Sequence, residues 1–520
     1  MAKRPERMRM HGDVQTLTLP SGPSQYARLD TPDFRDAGAP GKRVLLLGLG
    51  PDPADAAQLI PDHASGLDYV EAPAFLGQVD DTWRERIPSS WRERDFSWAA
   101  GLGSQELKHA IILYYSFGGK LFPSFWSPLL AKVRAALHDQ GGPRARPKRV
   151  ILPGEPQALL LPELSHALSR AGWTVDTPSL ARGTFPDPGL LAESLARDPA
   201  VLYFSVNGQG LDPLGEVFHQ LGEAGCRVAL WCVDNPWHIL SGFRGPFWRD
   251  MLLCVTDHSF IPDLKRQGAA HVLHLPLAAD AAWFERDFTT PDMDVAGRTV
   301  FVGRSAFPDK QGFFAASTVA PALLAQAQTE LAMGKRPDFA WWVRQLDLKT
   351  LWPDKAVRTA GLGAEQISLL HRVHCLEHAN SHLGLALFGD PGWREHIPNI
   401  ADLRTPIDYY AQLPAVYAQA GLCLNMTSLL LPSGLTQRHF DVWAAGGVLA
   451  TDATPGLSIF PEELTRPISF TLPEELDGAT KRLTQDTGLR HDLQARWREL
   501  IAAEHTYDVR VKKLLSALDL

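Results

Sequence analysis

Cysteine is scarce in this chain: Cys226, Cys232, Cys254, Cys375 and Cys423 are five among 520 residues, and no two of them form a C-x-x-C pair. An odd count without that spacing argues against a disulfide framework and a cysteine-based zinc site, and points to buried thiols in a reducing, cytoplasmic setting. Long apolar runs are also missing; stretches such as Leu429 to Pro432 fall far short of the roughly 20 residues that span a bilayer. The basic opening MAKRPERMRMHG is not followed by an apolar stretch of roughly 7–15 residues, so no secretory signal is expected. There is no surplus of positive charge. Lys and Arg total 51 against 59 Asp and Glu, a net charge of -8, which gives no electrostatic reason to expect a nucleic-acid partner. No D-x-D motif is placed to hold a divalent cation; Asp292 and Asp294 in PDMDV fall in an expected linker. No short repeat of the solenoid kind is found.

The composition that remains, 45% hydrophobic and 21% charged over 520 residues, is that of a soluble globular chain of about three domains. Residues 1–42 are rich in Pro, Gly, Arg and Asp without periodicity and read as a leader or extended arm. A small α/β unit of unassigned role is expected over 43–140, with strands in KRVLLLGLGPDP and LDYVEAPAF and an amphipathic helix from Pro123 to Leu137. The polar join HDQGGPRARPKR then marks a domain boundary. From 148 to 285 the apolar strands RVILPG, VLYFSV, RVALWCV, LLCVTD and HVLHLPL alternate with helices. A second cycle over 298–510 begins at RTVFVGR and continues through a long helix from Phe313 to Met333 and another from Ala364 to Ala379. Its later parts are the strand LGLALFGD, a helix from Tyr409 to Ala420, the strand LCLNM, a helix from Leu435 to Ala445, and the strand GVLATD. Continuously apolar strands separated by helices imply parallel sheets covered on both faces, so the fold class is α/β with two doubly wound domains. In such domains ligands bind at the carboxyl ends of the strands, at the switch point.

Several strand ends carry chemistry. GLG at Gly48 to Gly50, with Glu71 after the next strand, invites a methyltransferase or dinucleotide-enzyme reading, although the third glycine of a dinucleotide loop is missing and Asp52 suits a helix cap. In WCVDNPWH, Pro236 ends a strand and leaves Asp234 and His238 as a candidate general base and its partner; the alternative is that Asp234 and Asn235 only form a turn ahead of Pro236. Glu155 of PGEP is a further candidate base, and Asp257 suits a helix cap. FVGR puts Arg304 at a strand end with Lys310 nearby, a fork and a point charge suited to a diphosphate. In LNMTSLLLPSGLTQRHFDVWAAGGVLATDATPGL, Thr427 follows a strand and Gly434 precedes a helix carrying Arg438 and Asp441 on one face. That glycine loop could seat phosphate, with Asp441 on a ribose; the structural alternative is an Arg438–Asp441 ion pair. Thr454 and Gly456 lie in the turn after the following strand.

The order WCVDNPWH, VLHLPLA, FVGR, FGDPGW, DYYAQLPAVY, LNMTS, LTQRHFDVWAAGG, TDATPGL resembles the CgeB-like, spore-maturation-type glycosyltransferases, over roughly 148–510. The resemblance implies a GT-B fold, two facing Rossmann-like domains with a nucleotide diphosphate sugar donor held mainly by the C-terminal one. Carried over by motif, Arg438, Phe440 and Asp441 match the family's Arg-x-Phe-Glu helix at diphosphate and ribose, with Asp in place of Glu. Gly389 and Asp390 match its Gly-Asp strand end near the base, and FVGR supports Arg304 at the phosphates. The implied activity is metal-independent sugar transfer to a surface glycan, protein or small molecule, with Asp234 as base if the reaction inverts. A catalytically silent glycan- or nucleotide-binding protein on the same scaffold is the other reading.

Overall fold

The computed structural model describes residues 6–8, 14–16, 19–30, 42–139, 141, 147–156, 158–289 and 292–520. Part of the expected leader and much of the expected join after His138 therefore lie outside the described residues. Strands β1 (Glu6–Met8) and β2 (Val14–Thr16) pair antiparallel. The chain divides into two compact units, one of Met1–Leu161, Trp173–Leu230 and Gly242–Met251, the other of Pro162–Gly172, Trp231–Ser241 and Leu252–Leu520.

In the first unit, β3 (Tyr26–Arg28), β4 (Arg43–Leu47), β5 (Leu67–Val70), β6 (Arg92–Arg94) and β7 (Ala110–Tyr115) form a sheet in the order β3-β7-β4-β5-β6. All its pairs are parallel except β3 with β7, so part of the expected leader serves as an edge strand. Its core is continuous from Val44, Leu46 and Ile112 to Trp126 and Leu130 of the helix Pro123–His138.

Strands β8 (Arg149–Ile151), β9 (Thr174–Asp176), β10 (Leu202–Val206), β11 (Arg227–Cys232), β12 (Leu252–Val255) and β13 (His271–His274) form a six-stranded sheet ordered β13-β12-β11-β10-β8-β9. The third sheet lies in the second unit. It comprises β14 (Thr299–Val302), β15 (Leu385–Phe388), β16 (Leu403–Arg404), β17 (Leu422–Asn425), β18 (Leu449–Asp452) and β19 (Ser469–Phe470), in the order β16-β15-β14-β17-β18-β19. Every pair in it is parallel. The chain builds outward from β14 on one side and from β17 on the other, so the switch point falls between these two strands. Their residues are almost all buried, as strands covered on both faces must be. The expected α/β class with two Rossmann-like sheets is thus present, together with the smaller N-terminal sheet. Among the described residues no helix is long and apolar enough to cross a membrane.

Four helices differ from expectation, the one expected from Tyr409 to Ala420 being shorter, Leu413–Gln419. The helix expected from Phe313 to Met333 is two, Lys310–Phe314 and Pro321–Ala332. Pro321 forces Ala320 into an extended conformation, φ -63° and ψ 129°, which ends any helix there. The helix expected from Ala364 extends over Ala356–His382. Gly361 and Gly363 lower helix propensity but are required by packing, because a Cβ on Gly361 would sit 2.2 Å from Nε2 of His238, and one on Gly363 2.4 Å from the Trp342 ring. The helix expected from Leu435 begins only at Arg438 and runs to Ala444.

Candidate active site

Arg438 sits at the switch point. Its Nη1 donates to Oδ1 of Asn425, the last residue of β17, at 2.6 Å, and its Nη2 donates to the carbonyl of Val302, the last residue of β14. One guanidinium therefore ties together the carboxyl ends of the two strands that diverge there. It lies 5.1 Å from the centroid of the Phe301 ring, and a Cβ on Gly303 would come within 3.2 Å of Nη2, so glycine makes room for it. The alternative Arg438–Asp441 ion pair is not formed, since Asp441 points to other partners. Its Oδ2 accepts from the Tyr409 hydroxyl at 2.7 Å and its Oδ1 from Nε2 of Gln437 at 2.9 Å. Burial raises its pKa to about 8 against the lowering effect of these two bonds.

The glycine loop uses its own donors. Gly434 N–H donates to the Leu431 carbonyl at 3.1 Å, Ser433 N–H to Oδ2 of Asp257 at 2.8 Å, and Thr436 N–H to Nδ1 of His439 at 3.0 Å. The seven-residue helix that follows places Arg438, not an open turn, at its start. Thr454 and Gly456 are brought against this loop: a Cβ on Gly456 would lie 2.1 Å from the Ser433 carbonyl, and the Thr454 hydroxyl is 3.5 Å from that of Gly434. Thr427 belongs to a neighbouring buried cluster. Asp452 accepts from its N–H at 2.7 Å, from its hydroxyl at 2.6 Å and from Nη1 of Arg336 at 2.6 Å. Burial alone would push the Asp452 carboxyl up, but Arg336, His371 and the Thr427 hydroxyl hold it at about 2.

On the other side of the switch point, Gly389 and Asp390 follow β15. Asp390 accepts from Ser305 N–H at 2.8 Å, the Ser305 hydroxyl at 2.6 Å and Gly392 N–H at 3.0 Å, while Nε1 of Trp393 donates to the Gly303 carbonyl at 2.9 Å. These bonds fix the Gly303–Ser305 turn, from which Arg304 is exposed. Lys310 is held by Glu365, Nζ to Oε1 at 2.9 Å, and Arg372 approaches the same oxygen at 3.6 Å. Sequence reasoning missed Glu365, Arg372 and Arg336. The first two lie seven apart on one face of the helix Ala356–His382, a spacing that any solvated helix face also shows.

Of the candidate bases, Asp234 and Glu155 are exposed at the ends of β11 and β8. His238 is not brought to the surface beside Asp234. Its ring packs at 5.2 Å from Phe313 and 5.9 Å from Phe339, with Nε2 buried. Burial lowers its pKa to about 4, so it is neutral at pH 7. Asp257 caps the following turn as expected, accepting from Ser259 N–H at 2.8 Å. A cleft of about 440 Å³ near that turn is lined by Ser259, Phe260, Phe339, Arg344 and Pro432, none of them among the residues singled out from sequence.

In the first unit the GLG turn is filled by its own neighbours. Oε2 of Glu71 accepts from Leu49 N–H at 2.7 Å, the Tyr26 hydroxyl donates to the Leu49 carbonyl at 2.8 Å, and Nε1 of Trp83 donates to that of Gly50 at 3.3 Å. Asp52 caps the short helix that follows, as the structural reading expected.

Residues 371–516 match a family model described as glycosyl transferase-like. The match includes Arg438 and leaves out Arg304 and Lys310. Comparison with curated proteins finds no match. Solved structures similar to this chain include an α,α-trehalose-phosphate synthase (UDP-forming) from Burkholderia vietnamiensis. It is 10% identical with a TM-score of 0.40, over 71% of this chain and 99% of that one. An α1,3-fucosyltransferase with GDP is 11% identical with a TM-score of 0.33, over 76% and 96%. The T4 phage BGT in complex with UDP-glucose is 9% identical with a TM-score of 0.36, over 72% and 100%.

Proposed function

We propose that this protein is a GT-B glycosyltransferase of the CgeB-like type, moving a sugar from a nucleotide diphosphate sugar to a glycan, protein or small-molecule acceptor. The observation that carries this reading is Arg438 at the β14/β17 switch point, inside the segment that matches a glycosyl transferase-like family. In this reading residues 298–510 hold the donor and residues 148–285 the acceptor. Arg438 and Arg304 stabilise the departing diphosphate without a metal, as positive groups fixed where charge develops. The Asp390-braced turn positions Arg304, and Asp234 is the base if the reaction inverts. Five free, buried cysteines support a cytoplasmic setting. The test is release of nucleoside diphosphate from a panel of nucleotide sugars, with D234N and R438A alongside wild type. Loss of turnover with retained donor binding in D234N supports the assigned base, and full turnover in R438A overturns the donor site.

One observation favours a second reading. The Asp441 carboxyl, expected at the ribose, is committed to Tyr409 and Gln437, as suits a protein that binds nucleotide or glycan without turning it over. Binding without release of nucleoside diphosphate across an acceptor screen supports that alternative.

A further inference from the structure

We infer that Glu365 is a resident counter-ion that occupies a diphosphate seat made by Lys310 and Arg372, and yields both cations when a diphosphate binds. The inference rests on the glycosyltransferase reading for its ligand, but its geometry stands independently. Lys310 and Arg372 reach the same oxygen of Glu365, at 2.9 Å and 3.6 Å, so two cations share one carboxylate. Glu365 is only 4% exposed, whereas the side chains of Lys310 and Arg372 retain 19% and 18% of their surface. The acid is thus sealed beneath and the cations remain reachable. Arg372 is poorly satisfied: its Nε is buried with no acceptor among the described residues, and its Nη1 lies 3.4 Å from the Arg304 carbonyl. The Nη1 contact is long, and an incoming oxyanion offers that donor a shorter, charge-assisted bond. The Arg304 contact places the group just beyond the end of β14, where Arg304 and Arg438 also lie.

A purely structural triad and a counter-ion make opposite predictions for Glu365. If it only braces the cations, E365Q weakens anion binding. If it competes with the ligand, E365Q tightens it, while K310Q and R372Q weaken it by about 10-fold or more. The experiment is calorimetric titration of wild type, K310Q, R372Q and E365Q with UDP, GDP and inorganic pyrophosphate, each variant checked by thermal melt. K310Q, altering a partly exposed side chain, keeps the question answerable if R372Q does not fold. Weaker binding in K310Q or R372Q with tighter binding in E365Q is expected. Wild-type affinity in K310Q and R372Q, or weakening in E365Q in step with them, overturns the inference. Pyrophosphate binding that depends on these residues, with neither UDP nor GDP bound, leaves the seat standing and removes the glycosyltransferase reading. Nucleotide binding that R438A abolishes and K310Q and R372Q leave intact does the reverse. Binding of none of the three ligands overturns both.

Discussion

Arg438 and Asn425 are joined by a 2.6 Å bond from Nη1 to Oδ1, and the same guanidinium holds the Val302 carbonyl across the switch point. A lysine keeps the charge but cannot reach both strand ends with a rigid fork. R438K is therefore expected to lose about 1.5–3 kcal/mol of stability through the charge-assisted bonds it breaks, read as a lower midpoint in urea. An unchanged midpoint means that the bridge is not a brace.

The Asp441 carboxyl is raised to about 8 by burial, against the opposing bonds from Tyr409 and Gln437. An unfolded Asp titrates near 3.9, so between roughly pH 4 and 8 the native chain holds a proton that the unfolded chain has released. This contribution to stability is complete at low pH and declines as pH rises through that window. D441N removes the titration and keeps the shape. Its melting temperature is expected to gain on wild type steadily between about pH 5 and pH 8; a difference that stays flat across the series contradicts the assignment.

Gly361 admits the His238 ring, whose Nε2 would lie 2.2 Å from an added Cβ. G361A should cost about 1–3 kcal/mol by overpacking. The double variant G361A/H238A should cost less than the sum of its parts, because the alanine in place of His238 removes the clash. Additive losses in chemical denaturation would show that the two residues do not interact as described.

Glu71, Tyr26 and Trp83 occupy the GLG turn. Neither S-adenosylmethionine nor NAD is therefore expected to raise the melting temperature. A shift of several degrees with either ligand restores the methyltransferase or dinucleotide reading.

The buried strands were legible because a parallel sheet covered on both faces leaves no polar alternation, as in TVFV, LALF and LCLN of β14, β15 and β17. Strand order was not legible, since pairing between strands such as β14 and β17 depends on contacts over a hundred residues apart in the chain. The glycines at 361 and 363 obscured a helix start because their need for close packing with His238 and Trp342 is visible only in three dimensions. Arg438 stood out by its motif. Glu365 and Arg372 did not, because charged residues in mid-helix have the pattern of a solvated face. His238 misled for the opposite reason: its position after a strand suggested chemistry, and the ring turned inward among Phe313, Phe314 and Phe339.

The most direct test of the central claim is calorimetric titration of wild type and R438A with UDP- and GDP-sugars, with release of nucleoside diphosphate followed in the same samples. The account predicts saturable binding to wild type with at least one donor, nucleoside diphosphate released from it, and at least a tenfold loss of affinity in R438A. Absence of binding to wild type, or equal binding in R438A, contradicts it.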